Sequence, residues 1–263
     1  PAISADGSIV AFTARRSDSW YDVYQVYVRN REENITEIVS TGLTGWGWSW
    51  NPSVSADGRY VAFVSSADLE PDDNNEMCDI FIRDRYTGQT EILLAGTASL
   101  YGNYGRGMAI SGDGRYVGFV TGEHVIPEDM KPWSDAFVYD RQTGEIDLVS
   151  VTSDGEQADY PSYDIALSFD GRYVAFTSSA SNLAGLDHVT GIHYFVHDRL
   201  TGSTQMVDVD VNGLPVVGFD VNDNEHRVSI SADGRYVAFA SPASNLVAGD
   251  LGYWDVFVRD LGI

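Results

Sequence analysis

One ten-residue motif occurs five times along the chain, and this repetition restricts the fold more than any other property of the sequence. The copies are ISADGSIVAF (3–12), VSADGRYVAF (54–63), ISGDGRYVGF (110–119), LSFDGRYVAF (167–176) and ISADGRYVAF (230–239). Anchored on Gly7, Gly58, Gly114, Gly171 and Gly234, they are spaced 51, 56, 57 and 63 residues apart. A second motif follows each copy, at 26–40, 79–94, 135–150, 194–208 and, cut short, 255–263. Every repeat therefore offers four β-type runs. Strand A is the apolar stretch before Asp-Gly, and strand B follows it. Strand C is the VFVRD-type run, and strand D follows a Thr-Gly turn.

Asp-Gly between two β-rich runs is a strong hairpin signal, because Gly takes the positive φ that a tight turn requires. The Asp-Arg-x-Thr-Gly connection suits a type I turn closed by a Gly bulge. Strands B and C are apolar at consecutive positions, as in Tyr236, Val237, Ala238 and Phe239. A sheet with one wet face would alternate instead, so these strands are expected to be covered on both faces. Blades stacked side by side do this, which favours a propeller over a sandwich. The expected fold is all-β: a single five-bladed β-propeller over 1–263, with four-stranded antiparallel blades near 1–50, 51–106, 107–163, 164–226 and 227–263. The sequence stops after strand C of the last repeat. That blade is expected to hold three strands, or the natural chain continues.

The paired motifs SxDGRYVAF and DVFVRDRxTGxTxLVS resemble the WD-repeat-like propeller repeats of the TolB-like group, along essentially the whole chain. The resemblance implies the fold and leaves the activity open, since that group includes interaction proteins as well as propellers attached to peptidases. It also implies six blades, where this sequence has five repeats.

Thirty-nine acidic residues against sixteen basic ones give a net charge of −23. That balance argues against nucleic-acid phosphates and anionic lipid surfaces as partners. It is the composition of a well-solvated surface, and it also suits a cation-rich extracellular or periplasmic setting. No apolar run is long enough to span a bilayer, so no membrane insertion is expected, and any export signal is absent from these residues. Cys78 is the single cysteine, which excludes an internal disulfide and a Cys-rich zinc site.

The topology of an antiparallel blade puts the A-to-B and C-to-D turns at one end and the B-to-C and D-to-A loops at the other. All variation in repeat length falls in the second set, where propellers usually place function. The D-to-A loops carry Trp46, Trp48, Trp50, Tyr101, Tyr104, Tyr160, Tyr163 and Phe219, with Arg106, Asp220, Asn222, Asn224, Glu225 and His226 among them. Aromatic faces beside polar groups suit a carbohydrate or a protein side chain; the competing reading is that these rings anchor their own loops. The B-to-C loops are acidic. In the second repeat Asp73, Asn75 and Asp79 place oxygens at positions 1, 3 and 7, a pattern Ca²⁺ accepts. No loop has the Gly and Glu of an EF-hand, and Asp and Asn also serve their own turns, which is the leading reading. The third repeat retains Asp129 and Asp135 with Lys131 between them; the fourth has Asp187 and His193, and the fifth Asp250 and Asp255.

Signatures of catalysis are missing: there is no GxSxG elbow, HExxH helix or phosphate-cradling loop. None of the apolar A strands carries an acid except Asp164 at one start, so a hydrolase would depend on loop acids such as Asp220. The leading expectation is a non-enzymatic recognition module without a cofactor, Ca²⁺ being the one candidate. The alternatives are a carbohydrate-active hydrolase and a purely structural segment of a larger surface protein.

Overall fold

A computed structural model describes residues 1–16, 23–41, 47–71, 73, 75, 77–96, 107–185, 191–216 and 227–263. Nineteen strands form five antiparallel sheets among them. The first sheet takes β1 (Ala2–Ile3), β2 (Ile9–Arg15), β3 (Tyr24–Asn30) and β4 (Ile35–Ile38). The second takes β5 (Ser49–Val54), β6 (Tyr60–Ser65), β7 (Asp79–Asp84) and β8 (Gln89–Leu94). In the third stand β9 (Met108–Ile110), β10 (Tyr116–Thr121), β11 (Asp135–Asp140) and β12 (Ile146–Leu148). In the fourth stand β13 (Ser162–Leu167), β14 (Tyr173–Ser178), β15 (His193–Asp198) and β16 (Ser203–Met206). The last has only β17 (Val228–Ile230), β18 (Tyr236–Ser241) and β19 (Asp255–Asp260), as the truncated fifth repeat leads one to expect. Each sheet is a meander in sequence order.

The chain packs as two compact units: Pro1–Val117 with Tyr139–Glu145, and Gly118–Val138 with Ile146–Ile263. The core of the first is built on Val26, Val28, Val61, Phe63 and Phe81, and that of the second on Ala175, Tyr194, Val196, Val237 and Phe239. One aromatic pair recurs in all five sheets across strands B and C: Phe12–Tyr27, Phe63–Phe81, Phe119–Phe137, Phe176–Phe195 and Phe239–Phe257, with centroids 5.6–5.8 Å apart. Stacked pairs of this kind contribute ~0.5–1.5 kcal/mol beyond the area they bury.

The consecutive apolar residues of strands B and C are covered on both faces in the middle repeats. Val61, Ala62, Phe63 and Val64 are fully buried, as are Ala136, Phe137 and Val138. The last sheet departs from this. Val256 and Val258 of β19 are 78% and 66% exposed, and among the described residues no strand pairs with its outer edge.

The Asp-Gly turns show why the motif repeats. In each, a Ser hydroxyl donates to the Asp two residues on, at 2.5–2.9 Å, as Ser55 does to Asp57. The same Asp accepts the backbone N–H two residues further, from Arg59 in that repeat. Gly114 sits at φ +74°, and a Cβ there would lie 2.5 Å from the Tyr60 ring of the preceding repeat. Its place requires Gly for its conformation and for its lack of a side chain. Neighbouring turns are linked by Ala5 N–H to Ala56 O, Ala56 N–H to Gly112 O and Phe169 N–H to Ala232 O, each 2.9 Å.

Two arginines complete this end of the blade. The Arg after Asp-Gly forms a two-pronged ion pair with the Asp that ends strand C: Arg59–Asp84, Arg115–Asp140, Arg172–Asp198 and Arg235–Asp260. The pairing holds Asp84, Asp140 and Asp198 at about 2, well below the usual carboxylate range. The Arg after that Asp reaches back to the turn carbonyl and across to an acid of the preceding strand D. Arg85 takes Gly58 O and Glu37, Arg141 takes Gly114 O and Glu91, and Arg199 takes Gly171 O and Asp147. The polar residues of the motif are thus engaged in holding the repeat together.

Candidate functional site

The opposite end of each blade is built differently in each repeat. In the first unit, Ser49 of β5 faces Ser65 of β6, which faces Asp79 of β7. The Ser49 and Ser65 hydroxyls are 2.9 Å apart, and the Ser66 N–H donates to Trp48 O at 2.9 Å. Trp48 is held at this edge with its side chain 45% exposed. Beside it a cleft of about 180 Å³ is lined by Arg16, Gln25, Ser40, Gly47, Ala67 and Leu69, among others.

The second unit presents a larger aromatic surface. Trp133 and Tyr160 stack with centroids 5.5 Å apart and planes 13° from parallel, while remaining 39% and 51% exposed. They come from different loops, the B-to-C loop of the third repeat and the D-to-A loop after it. The Ser162 N–H donates to Ser134 O at 2.7 Å, which pins the two loops together. The sequence reading took Tyr160 and missed Trp133. Its signal, an aromatic in Lys131-Pro132-Trp133 beside the acids of that loop, was overshadowed by those acids.

Trp50 and Tyr163 lie in strands, not loops. β5 and β13 start earlier than their apolar runs suggest, because each carries an irregularity, between Trp50 and Ser53 and between Ser162 and Asp164. Asn51 takes φ +57° at the first of these. Trp50 and Tyr163 are half-buried, and the Tyr163 hydroxyl lies 3.2 Å from Ser179 Oγ. Trp46, Tyr101, Tyr104, Arg106, Phe219 and Asn222 lie outside the described residues, as do Asp187, Asp220, Asn224, Glu225 and His226.

The acidic B-to-C loops bring carboxyls together in two repeats. In the second, Asp73 and Asp79 are both buried and stand within hydrogen-bond reach of each other. Asp79 Oδ1 accepts from Asn75 Nδ2 at 3.0 Å and from the Gly96 N–H at 2.5 Å. Asn75 Oδ1 is turned away and accepts the Met77 N–H at 2.7 Å. Burial, and then the contact with Asp79, push Asp73 up to about 6. In the third repeat Gln157 Nε2 donates to Asp129 Oδ1 and Asp135 Oδ2, both at 2.7 Å, and Ser150 Oγ donates to Asp135 Oδ1 at 2.6 Å. Burial pushes Asp135 up to about 6. In the fifth, Asp250 accepts the Gly252 N–H, and Asp255 is exposed. No group of three or more His, Cys, Asp or Glu converges among the described residues.

Two further groups carry chemistry in principle. His193 and Asp208 are hydrogen-bonded at 2.8 Å, but both are fully buried. Cys78 is also buried, and its thiol is pushed up to about 12, which keeps it protonated and a poor nucleophile.

No protein-family model matches this sequence, and no curated protein does. Solved structures do resemble it. The tricorn protease aligns over 99% of this chain and 29% of its own, at 12% identity and TM-score 0.51. A dipeptidyl aminopeptidase IV-type protein from Bacteroides ovatus aligns over 99% of this chain and 38% of its own, at 12% identity and TM-score 0.52. KlAtg21, solved in complex with the coiled coil of AgAtg16, aligns over 97% and 64%, at 13% identity and TM-score 0.53. The chain thus spans less than two thirds of each of these proteins. At such identities the likeness concerns the fold. Together with the five meandering sheets, it makes this an all-β protein of the β-propeller class, with a three-stranded last blade. Propellers of this kind occur in enzymes and in non-enzymes alike.

Proposed function

We propose that this chain is a non-enzymatic binding propeller that recognises a carbohydrate or a protein segment at the loop end of its blades. The observation that carries the reading is the Trp133–Tyr160 stack, which leaves two large aromatic faces exposed on loops anchored by a backbone hydrogen bond. Aromatic surface held in place beforehand supplies contact area with little loss of conformational entropy on binding, and sugar rings and partner side chains both use it. Trp48 beside a small cleft offers the same chemistry in the first unit. The resemblance of the repeats to the TolB-like group, which includes interaction proteins, agrees with a binding role. The acidity fits an extracellular or periplasmic location and repels polyanions.

The test is titration of neutral oligosaccharides and of aromatic-rich peptides, followed by tryptophan fluorescence and calorimetry. Binding is expected to quench Trp133 and to weaken when Trp133 or Tyr160 is replaced by Ala. Binding that survives both replacements unchanged refutes the assignment of this face.

A further inference from the structure

The second and third blades solve the same electrostatic problem in two ways. Each places two buried carboxylates six residues apart, the latter at the first position of strand C: Asp73 and Asp79, then Asp129 and Asp135. Two carboxylates in contact and out of water do not both stay ionised unless something positive or hydrogen-donating stands between them. In the third blade the protein supplies that group itself. The amide nitrogen of Gln157 bridges the pair at 2.7 Å to each, and Ser150 completes Asp135, so that both oxygens of Asp135 have donors. Lys131 Nζ joins the same cluster through Gln157 O at 2.6 Å.

In the second blade no such bridge exists among the described residues. Asp79 is completely buried, and its Oδ1 is saturated by Asn75 and Gly96. Its Oδ2 is buried with no hydrogen-bond donor, on a carboxyl that stands beside that of Asp73. Asp129 Oδ2 in the third blade is likewise buried without a partner, but there Gln157 bridges the two carboxyls. In the second blade the unpaired oxygen belongs to a pair with no bridging donor among the described residues. A buried carboxylate oxygen left so costs about as much as a lost hydrogen bond to a charged group. We infer that a hard divalent cation, Ca²⁺ by the all-oxygen character of the donors, binds between Asp73 and Asp79, with Asp79 Oδ2 facing it. It does in the second blade what Gln157 does in the third. Asn75 is a positioning residue: its amide NH₂ fixes the Asp79 carboxylate, and its oxygen closes the turn onto Met77. Two carboxylates supply part of the six to eight oxygens that Ca²⁺ takes, which leaves coordination positions open to water.

The test uses the whole chain, stripped with chelator and titrated with CaCl₂ and separately with MgCl₂, by calorimetry and by thermal melting. One saturable Ca²⁺ site per chain is expected, together with a rise in melting temperature, because the ion binds the native state alone. Asp73→Asn should weaken Ca²⁺ at least ~10-fold, the loss that changes even outside the ligand shell produce. Metal-free Asp73→Asn should also melt no lower than the metal-free parent, because it relieves like-charge contact; a carboxylate serving only its own turn would melt lower when replaced. Asp79→Asn should abolish binding, and Asp129→Asn in the third blade should leave it intact. No heat and no change in melting up to about 10 mM Ca²⁺, beyond the weakest extracellular modules, overturns the proposal. Equal affinity in Asp73→Asn, or loss only in Asp129→Asn, overturns it as well.

Discussion

The two ends of a blade are held together by opposite electrostatics. At the turn end every acid of the motif has a cation or several donors, and the Asp residues that end strand C sit well below the usual carboxylate range. At the loop end of the second, third and fourth repeats, acids at the start of strand C or packed against it are buried first and compensated second: Asp73 and Asp135 are pushed up to about 6, and Asp208 is also raised by burial. One end is relaxed and repeated; the other stores unfavourable burial and differs in each repeat. Sites that bind ions or ligands are commonly of the second kind, because stability forgone locally is recovered when a partner arrives.

Glycine replacement gives the largest expected contrast. Gly114→Ala at the turn end combines a positive φ with a collision against Tyr60, and should destabilise by about 2–4 kcal/mol. Gly155, in a hairpin of the D-to-A loop after β12, has a similar φ of +83°, but a Cβ there would meet nothing within 4 Å, so Gly155→Ala should destabilise by only about 1 kcal/mol. Denaturant melts of the two variants measure the difference. Equal losses would mean that the turn-to-ring packing contributes nothing.

Acid titration separates the ends by sign. Asp140 titrates at about 2 when folded, below its ordinary value near 3.8, so its pairing with Arg115 stabilises the protein above pH 4 and is lost as pH falls towards 2. Asp140→Asn should therefore lower stability at neutral pH by about 1 kcal/mol, discounted for the partly exposed arginine, with no effect near pH 2. Asp135 has the reverse sign: its pKa is raised to about 6, so its contribution is most favourable below pH 4 and is lost as pH rises through 6. The melting temperature of Asp135→Asn, measured against the parent, should improve steadily from pH 4 to 7. A parallel pH dependence in the two variants would remove the distinction.

The turn end was legible in the sequence because its hydrogen bonds are local. Ser55, Asp57 and Arg59 bond over two residues, and the motif that encodes them is printed five times. Even the longer reach of Arg141 to Glu91 spans 50 residues, close to one repeat. The propeller class and the three-stranded last blade followed from that regularity. Loop-end chemistry is non-local and unrepeated. Gln157 reaches Asp129 from 28 residues away and has no signature, and Trp133 meets Tyr160 from a loop of a different sheet, the two loops joined by the Ser162 N–H to Ser134 O hydrogen bond. Trp50 and Tyr163 were misplaced for a related reason. A β-irregularity extends each strand past its apolar run, and Trp50-Asn51-Pro52 reads as loop in one dimension.

The smallest effect on stability, and the most informative for function, belongs to the Trp133–Tyr160 stack. A ring pair that serves only to anchor its loops would be buried against them, as Phe119 and Phe137 are, where truncation to Ala would cost ~3–5 kcal/mol. Trp133 and Tyr160 keep much of their surface in water, so Trp133→Ala and Tyr160→Ala should each lose no more than about 1 kcal/mol, the worth of the stacking itself. The same replacements should weaken an oligosaccharide or peptide that binds the stack by at least ~2 kcal/mol, the range of an aromatic anchor. Gln142→Ala, in a turn at the other end, provides the control and should change neither quantity. A loss of several kcal/mol in thermal stability with unchanged binding would make the stack a loop anchor. Near-neutral stability with lost binding would place the working surface at the end of the blade that the repeat leaves free to vary.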